Sequence, residues 1–486
     1  MIQVASVPWP RLRSTSVAGV FCAACIVFLW LGCFDIVGSI DSAERRVVLD
    51  AALLTTGALL LATVGLAGDV TQSLHRWLFV VAIFCGYVVQ FFWFITDPAS
   101  AVEATLTVPF GDQDLVRGLW YAAVALASGG LVFALAARVQ SWFAAPRAIG
   151  THVGRSAASR VYRTCLCVAA LLAPIGLAAA VVFHVGVVGA EEHLPYRLDG
   201  VFFYINRAAL PGLLLTAVMA ATWAEDKKRQ TWALALLLVF SVVEAIVTTT
   251  RAALVLAGMR YAFVLMLTGA FTRRTMGLMV ALTLVAALTF PLMSQLRAER
   301  GGGSVSVVEA LGEAGAKSEG PGTLMEMVRP FATRFTGLNA LAPILRADAR
   351  LAPGDVLAGF VGGEGPTKYT THYVFGFDAD APIGIAPSTL GWLYIAGGEW
   401  GILWGSAVLA LLLEVVWSAT RVARLHTRPV LQCLVAGLMF GYLTEGNWEG
   451  SGLPILMPVA TVAALEFLVR LCMRAEAARP EQPCSS

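Results

Sequence analysis

Apolar residues run through this chain in long uninterrupted blocks. A helix needs about 20 such residues to cross a bilayer core. Twelve blocks come close to that length: Val17–Gly38, Val47–Ala67, Trp77–Ile95, Leu119–Ala137, Thr164–Gly189, Gly200–Trp223, Thr231–Thr249, Ala252–Phe271, Met276–Leu296, Gly391–Ser418, Val430–Glu445 and Gly452–Leu471. One polar segment, 293–390, separates the ninth block from the tenth. The pattern predicts an all-α polytopic membrane protein of about 12 transmembrane helices with one large outer loop bearing short helices. Along the chain this gives spans one to nine over 1–292, the loop over 293–390, and spans ten to twelve with a tail over 391–486. Arg11 and Arg13 precede the first block, as in a signal peptide, but its length and the blocks after it favour a first span.

Within the polar segment, Ser304–Lys317 reads as a short surface helix. In Thr323–Arg346 the residues Met325, Val328, Phe331, Phe335, Leu338, Leu341 and Ile344 recur at three- and four-residue steps. That stripe predicts an amphipathic helix lying along the membrane surface. From Pro353 to Pro387 the Gly- and Pro-rich sequence reads as ordered loop.

Basic residues set the expected orientation. With the N-terminus in the cytoplasm, the cytoplasmic segments collect Arg76, Arg138, Arg147, Arg155, Arg160, Arg163, Lys227–Arg229, Arg273 and Arg274, and the basic residues around 421–428 and 470–479. The short outer segments hold only Arg45, Arg46, Arg117, Arg197 and Arg251. The positive-inside rule therefore puts both termini in the cytoplasm and the large loop outside.

Composition agrees. The 486 residues are 58% hydrophobic and 14% charged, with a mean hydropathy of +0.74, against about 25% charged in soluble domains. The net charge of +2 says nothing about nucleic acid, and none is expected as a partner. None of the nine cysteines falls in the large loop, which argues against a disulfide framework there. No His/Cys/Asp/Glu cluster has metal-ligand spacing, so neither metal nor cofactor is expected. The chain has no Walker-type phosphate loop, no dinucleotide fingerprint after a strand and no Gly-x-Ser-x-Gly, which removes support for nucleotide-driven pumping and serine hydrolysis.

Ionisable groups inside spans are costly and are functional candidates by default. Arg207, Glu244, Arg251 and Arg260 qualify. Nine residues separate Arg251 from Arg260, which puts them on opposite faces of one helix, so they do not share a site. Glu244 is at a depth where it can pair with Arg260. In the loop, Arg297, Arg300, Arg329 and Arg334 form an arginine group suited to phosphate, because the guanidinium fork binds its oxygens in pairs.

Three stretches together resemble the Wzy-type polysaccharide (O-antigen) polymerases, the oligosaccharide repeat-unit polymerase family. They are Leu194-Pro-Tyr-Arg-Leu-Asp-Gly200 running into Phe202–Arg207, Thr248-Thr-Thr-Arg251, and the Gly-rich Gly391–Gly401. The span count and the late arginine-rich outer loop match as well. Where many members carry a Pro-Arg…Lys-Pro segment, this chain reads Gly359-Phe-Val-Gly-Gly-Glu-Gly-Pro-Thr-Lys368. The resemblance implies a glycosyltransferase of the cell inner membrane that moves an undecaprenyl-pyrophosphate-linked oligosaccharide onto the next lipid-linked repeat unit. The product would be O-antigen, capsule or exopolysaccharide. Membrane lipids, a chain-length regulator and a flippase would be its partners. Arg207, Arg251, Arg297, Arg300, Arg329 and Arg334 would bind substrate, and Asp199, His372 and Glu445 are the candidates for the general base. Two other functions suit the same pattern: an O-antigen ligase, which shares the architecture and donor, and a secondary transporter, which would show repeated halves and broken spans.

Overall fold

The computed structural model describes residues 14–142 apart from 39, 68–69 and 98–109; 153–248 apart from 184 and 186–197; 258 and 260–265; 336–422 apart from 361–364 and 379–384; and 425–477 apart from 447–451. All regular structure among these residues is helical. Inside a bilayer no water is at hand for backbone groups, so an apolar block satisfies them internally as a helix. Nine helices among the described residues are long and apolar enough to cross a membrane. They cover the first seven blocks, the tenth and the twelfth. The eleventh block is also helical, over Arg428–Glu445. The ninth block and most of the eighth lie outside the described residues.

The chain divides into two compact units, each assembled from separated segments. The first comprises Met1–Pro146, Ala332–Ala419 and Leu438–Gly452; the second comprises Arg147–Phe331, Thr420–Gly437 and Leu453–Ser486.

The first unit opens with α1 (Ser14–Ile36), α2 (Ser42–Leu66) and α3 (Val70–Ile83). A π-helical turn, Phe84–Val89, joins α3 to α4 (Gln90–Thr96), and α5 spans Asp112–Trp142. Small residues let α2 and α5 approach closely: a Cβ at Gly65 would press on Phe133, and one at Gly130 would meet the Ala58 carbonyl. The large hydrophobics that face outward include Leu31, Phe34, Leu53 and Leu60, as a lipid-facing surface requires.

Three sequence expectations change in this unit. The third span begins before Trp77, so His75 and Arg76 sit inside α3 and are buried, whereas the charge pattern assigns Arg76 to a cytoplasmic segment. The described end of the loop stripe forms α10 (Leu338–Ala347), whose residues Leu338 and Ala340 to Leu345 are all buried; it packs against α5 and does not lie along a surface. The segment after Pro353 is not all loop. It contains α11 (Pro353–Phe360), α12 (Pro366–Tyr369) and a second π-turn, Thr370–Val374. Proline fits the first helical turn, where its missing N–H costs nothing, and both short helices begin on one.

The tenth block forms α13 (Thr389–Val422). Ser388 caps it by accepting the Gly391 N–H at 3.1 Å, and the Leu390 N–H donates to the Tyr87 hydroxyl at 2.9 Å. Near its start, α13 is broken at Gly398, where φ is +66° and ψ −144°. Only glycine enters that region readily.

The second unit holds α6 (Arg155–Val182), α7 (Leu198–Tyr204), a third π-turn over Ile205–Ala209, α8 (Leu210–Trp223) and α9 (Lys227–Thr248). Parts of α14 (Arg428–Glu445) and α15 (Gly452–Ala477) complete it. Every residue of α8 from Leu210 to Ala221 is buried. A helix covered on all sides has to be apolar all round, and this one reads Leu-Pro-Gly-Leu-Leu-Leu-Thr-Ala-Val-Met-Ala-Ala. Gly212 admits Thr461 of α15, and Gly176 of α6 admits Asn206, whose side-chain amide donates to the Gly176 carbonyl at 3.0 Å.

Candidate functional site

Arg207 lies in the π-turn that links α7 to α8. Helical geometry would have its carbonyl accept the N–H of the residue four positions on, but that residue is Pro211, which has none. The carbonyl accepts from another charged side chain: Arg260 donates Nη2 to the Arg207 carbonyl oxygen at 2.9 Å. The Arg207 guanidinium turns to α9, where its Nε lies 3.2 Å from Glu244 Oε1. Glu244 is in contact with Arg207, and Arg260, to which the sequence points, is also within its electrostatic reach. Phe203, one turn earlier, carries the guanidinium over its ring at 5.7 Å. The Glu244 side chain is 2% exposed and that of Arg207 17%. Arg260 is buried, and its Nε has no hydrogen-bond partner among the described residues.

The charge balance of this cluster is positive. Arginine stays protonated in proteins. One carboxylate offsets at most one of two guanidiniums, so among the described residues at least one positive charge is left over in an apolar helix bundle. An unspent donor and excess positive charge together suit an anion with several oxygens, and a phosphate group is the obvious match for the guanidinium fork.

A second polar group belongs to the first unit. Arg117 and Tyr121 project from α5, Tyr394 and Glu399 from either side of the α13 break, and Asp348 and Arg350 from the strap after α10. Tyr121 donates its hydroxyl to Glu399 at 2.8 Å, and Tyr394 donates to Asp348 at 2.8 Å. Arg350 donates to the Tyr394 oxygen at 3.0 Å and to Asp348 at 3.1 Å, with its guanidinium 4.1 Å above the Tyr394 ring. The Tyr394 hydroxyl and Arg350 hold the Asp348 carboxyl below the usual carboxylate range. Arg117 reaches both tyrosine oxygens, at 3.4 and 3.5 Å.

A third group is fully enclosed in the first unit. Glu414 of α13 accepts from Arg76 through both carboxylate oxygens, and its Oε1 lies 3.0 Å from His75 Nε2. Arg76 also donates to the Gly65 carbonyl at 2.6 Å. His75 stacks on Trp417 at 5.5 Å. The ion pairs of Glu414 with Arg76 and His75 tie α13 to α3.

His372, a candidate base, is exposed on the π-turn Thr370–Val374, with Nδ1 2.7 Å from the Phe377 carbonyl oxygen. Of the other expected site residues, Asp199 lies in the first turn of α7 and Glu445 ends α14, but their side chains are outside the described residues. Arg251, Arg297, Arg300, Arg329 and Arg334 also lie outside them. Among the described residues no group of three His, Cys, Asp or Glu side chains is placed to hold a metal ion. Sequence reasoning passed over Glu414, although a lone carboxylate in an apolar block was its available signal. Glu399, in the same apolar block, gives the same signal, whereas Asp348 and Tyr394 give none, because only the fold brings them to Arg117.

No protein-family model matches the chain, and no curated protein or solved structure matches it.

Proposed function

We propose that the protein is a membrane glycosyltransferase that polymerises lipid-linked oligosaccharide repeat units, transferring a glycan from a polyprenyl diphosphate to the next repeat unit. The observation that carries this reading is the Arg207–Glu244–Arg260 cluster, with its excess positive charge inside an apolar bundle. Breaking the sugar–diphosphate bond puts negative charge on the leaving oxygens. Guanidiniums already fixed in a dry site stabilise that charge without having to reorganise. The acceptor hydroxyl must lose a proton, and Asp199, His372 and Glu445 are the groups offered for it. The positive-inside pattern supports a site on the outer face, and the resemblance to the polymerases supports a bacterial inner membrane.

The test is reconstitution. Purified protein in lipid, supplied with lipid-diphosphate-linked repeat units extracted from the source membranes, should yield a ladder of products. Arg260→Met should lower the rate by at least about 100-fold, the usual cost of losing one preorganised donor to a developing anion. No ladder from the unsubstituted protein, or an undiminished one from Arg260→Met, refutes the reading.

A second reading rests on the break at Gly398 and on the π-turns in both units, since transporters build sites from discontinuous helices. It requires solute uptake by the same vesicles in the absence of any ladder.

A further inference from the structure

The π-turn Thr370–Val374 and the residue before it bring three rings together, with His372 and Tyr373 exposed and Tyr369 half-buried. Thr370 and Thr371 are buried and anchor it, and the turn packs against α10. The Thr371 hydroxyl donates to the Thr367 carbonyl at 2.7 Å and accepts the Ile385 N–H at 2.8 Å. With that face tied down, the other face presents Tyr369, His372 and Tyr373. The Tyr369 and Tyr373 ring centroids are 5.0 Å apart, and those of His372 and Tyr373 are 4.6 Å apart. Tyr373 is 67% exposed among the described residues.

The chain end of the turn fixes the histidine. Gly376, at φ +71°, closes it: Gly376 N–H donates to the His372 carbonyl and Phe377 N–H to the Thr371 carbonyl. This reversal brings the Phe377 carbonyl oxygen to His372 Nδ1 at 2.7 Å. A carbonyl only accepts, so Nδ1 carries the hydrogen of the neutral ring, and Nε2 is left as an acceptor. Lys368, exposed on the preceding turn, adds a donor.

We propose that this surface is a sugar-binding subsite, taking a pyranose ring of the glycan; it rests on the polymerase reading for the source of that glycan. One face of a pyranose is a patch of C–H groups, which suits the electron-rich face of a tyrosine. Its rim is hydroxyls, which need one acceptor and one donor beside the ring. His372 Nε2 and the Lys368 ammonium supply them. A tyrosine serving only as an anchor in the lipid headgroup layer would have no use for an imidazole held in one tautomer.

The test uses the full chain in lipid nanodiscs with chitobiose, cellobiose and maltose as probes. Saturation-transfer NMR should show transfer to at least one disaccharide. Tyr369→Ala/Tyr373→Ala should weaken it roughly tenfold, the worth of a well-stacked ring pair, while Tyr373→Phe retains it. An unchanged melting temperature shows that the double variant is folded. Transfer to none of the three sugars, or transfer indifferent to the double substitution, overturns the subsite and leaves a lipid anchor. The product ladder from the same samples separates the two proposals. Tyrosine-dependent sugar binding without a ladder refutes the polymerase and keeps the subsite. A normal ladder and normal sugar transfer in the double variant do the reverse.

Discussion

Pro211 has no amide hydrogen to give to the Arg207 carbonyl four residues back, and a charged group gathers at that point of the helix bundle. The Arg207 carbonyl accepts from Arg260, and the Arg207 side chain pairs with Glu244. Removing one member of such a group costs more than the group is worth, because a buried charge is stranded. Glu244→Gln is expected to destabilise the folded protein by about 3 kcal/mol, read from the midpoint of unfolding in mixed detergent micelles. Adding Arg207→Met should recover part of that loss, since the pair then leaves together; strictly additive losses would show that the two side chains do not interact. Asp348 makes a second prediction at this scale. Its pKa is depressed by Tyr394 and Arg350, so its stabilising contribution is complete above the pKa of the unfolded chain and disappears as pH falls through the lower folded value. Hydrogen exchange over 348–351, corrected for the intrinsic rate, should stay slow at neutral pH and quicken only in strong acid. In Asp348→Asn it should be fast throughout, and equal protection in both proteins would contradict the assignment.

At the scale of elements, α13 shows how one glycine and one arginine set a shape. Gly398 takes a backbone conformation closed to other residues, and a Cβ there would run into the Arg350 guanidinium. Arg350 in turn stacks on Tyr394, and the Leu351 N–H donates to the Ile395 carbonyl at 3.1 Å, so the strap after α10 splints the segment before the break. Gly398→Ala is expected to cost about 2 kcal/mol from backbone strain alone. Arg350→Ala in the same background should relieve the clash but not the strain, so the double variant remains less stable than Arg350→Ala by itself. The elements also show what a sequence can and cannot disclose. The spans were legible because a bilayer demands long apolar helices, and Leu210–Ala221 or Leu53–Leu61 can be little else. The π-turns were not, since the extra residue at Phe84–Val89 or Ile205–Ala209 leaves no compositional mark. Pro353 and Pro366 read as breaks, yet each opens a helix, an outcome proline permits equally well. Arg76 looked like an orientation charge because its partner, Glu414, lies 338 residues away. Of the candidate site, Arg207, Glu244 and Arg260 were legible one by one as charges in spans, but their arrangement depended on the missing N–H of Pro211.

At the scale of the whole molecule, the distribution of charge predicts which ends of the helices face which side. Basic loops are held on the cytoplasmic side during insertion, because moving Lys and Arg across the bilayer is opposed. Lys227, Lys228 and Arg229 open α9, so that end should lie inside. The segment bearing Lys368 and His372 belongs to the one large polar stretch, which the expected alternation of twelve spans would put outside. Both lysines are exposed, so each can be replaced by cysteine without disturbing packing. In intact cells a membrane-impermeant maleimide should label Lys368→Cys above the background of the unsubstituted chain and leave Lys228→Cys unlabelled until the membrane is opened. The reverse pattern would invert the protein. It would put the tyrosine-bearing turn in the cytoplasm and end any role for it on a glycan that is polymerised outside. Labelling of both sites in intact cells would mean that an even number of crossings lies between them, where the twelve-span pattern puts three, and that count would have to change.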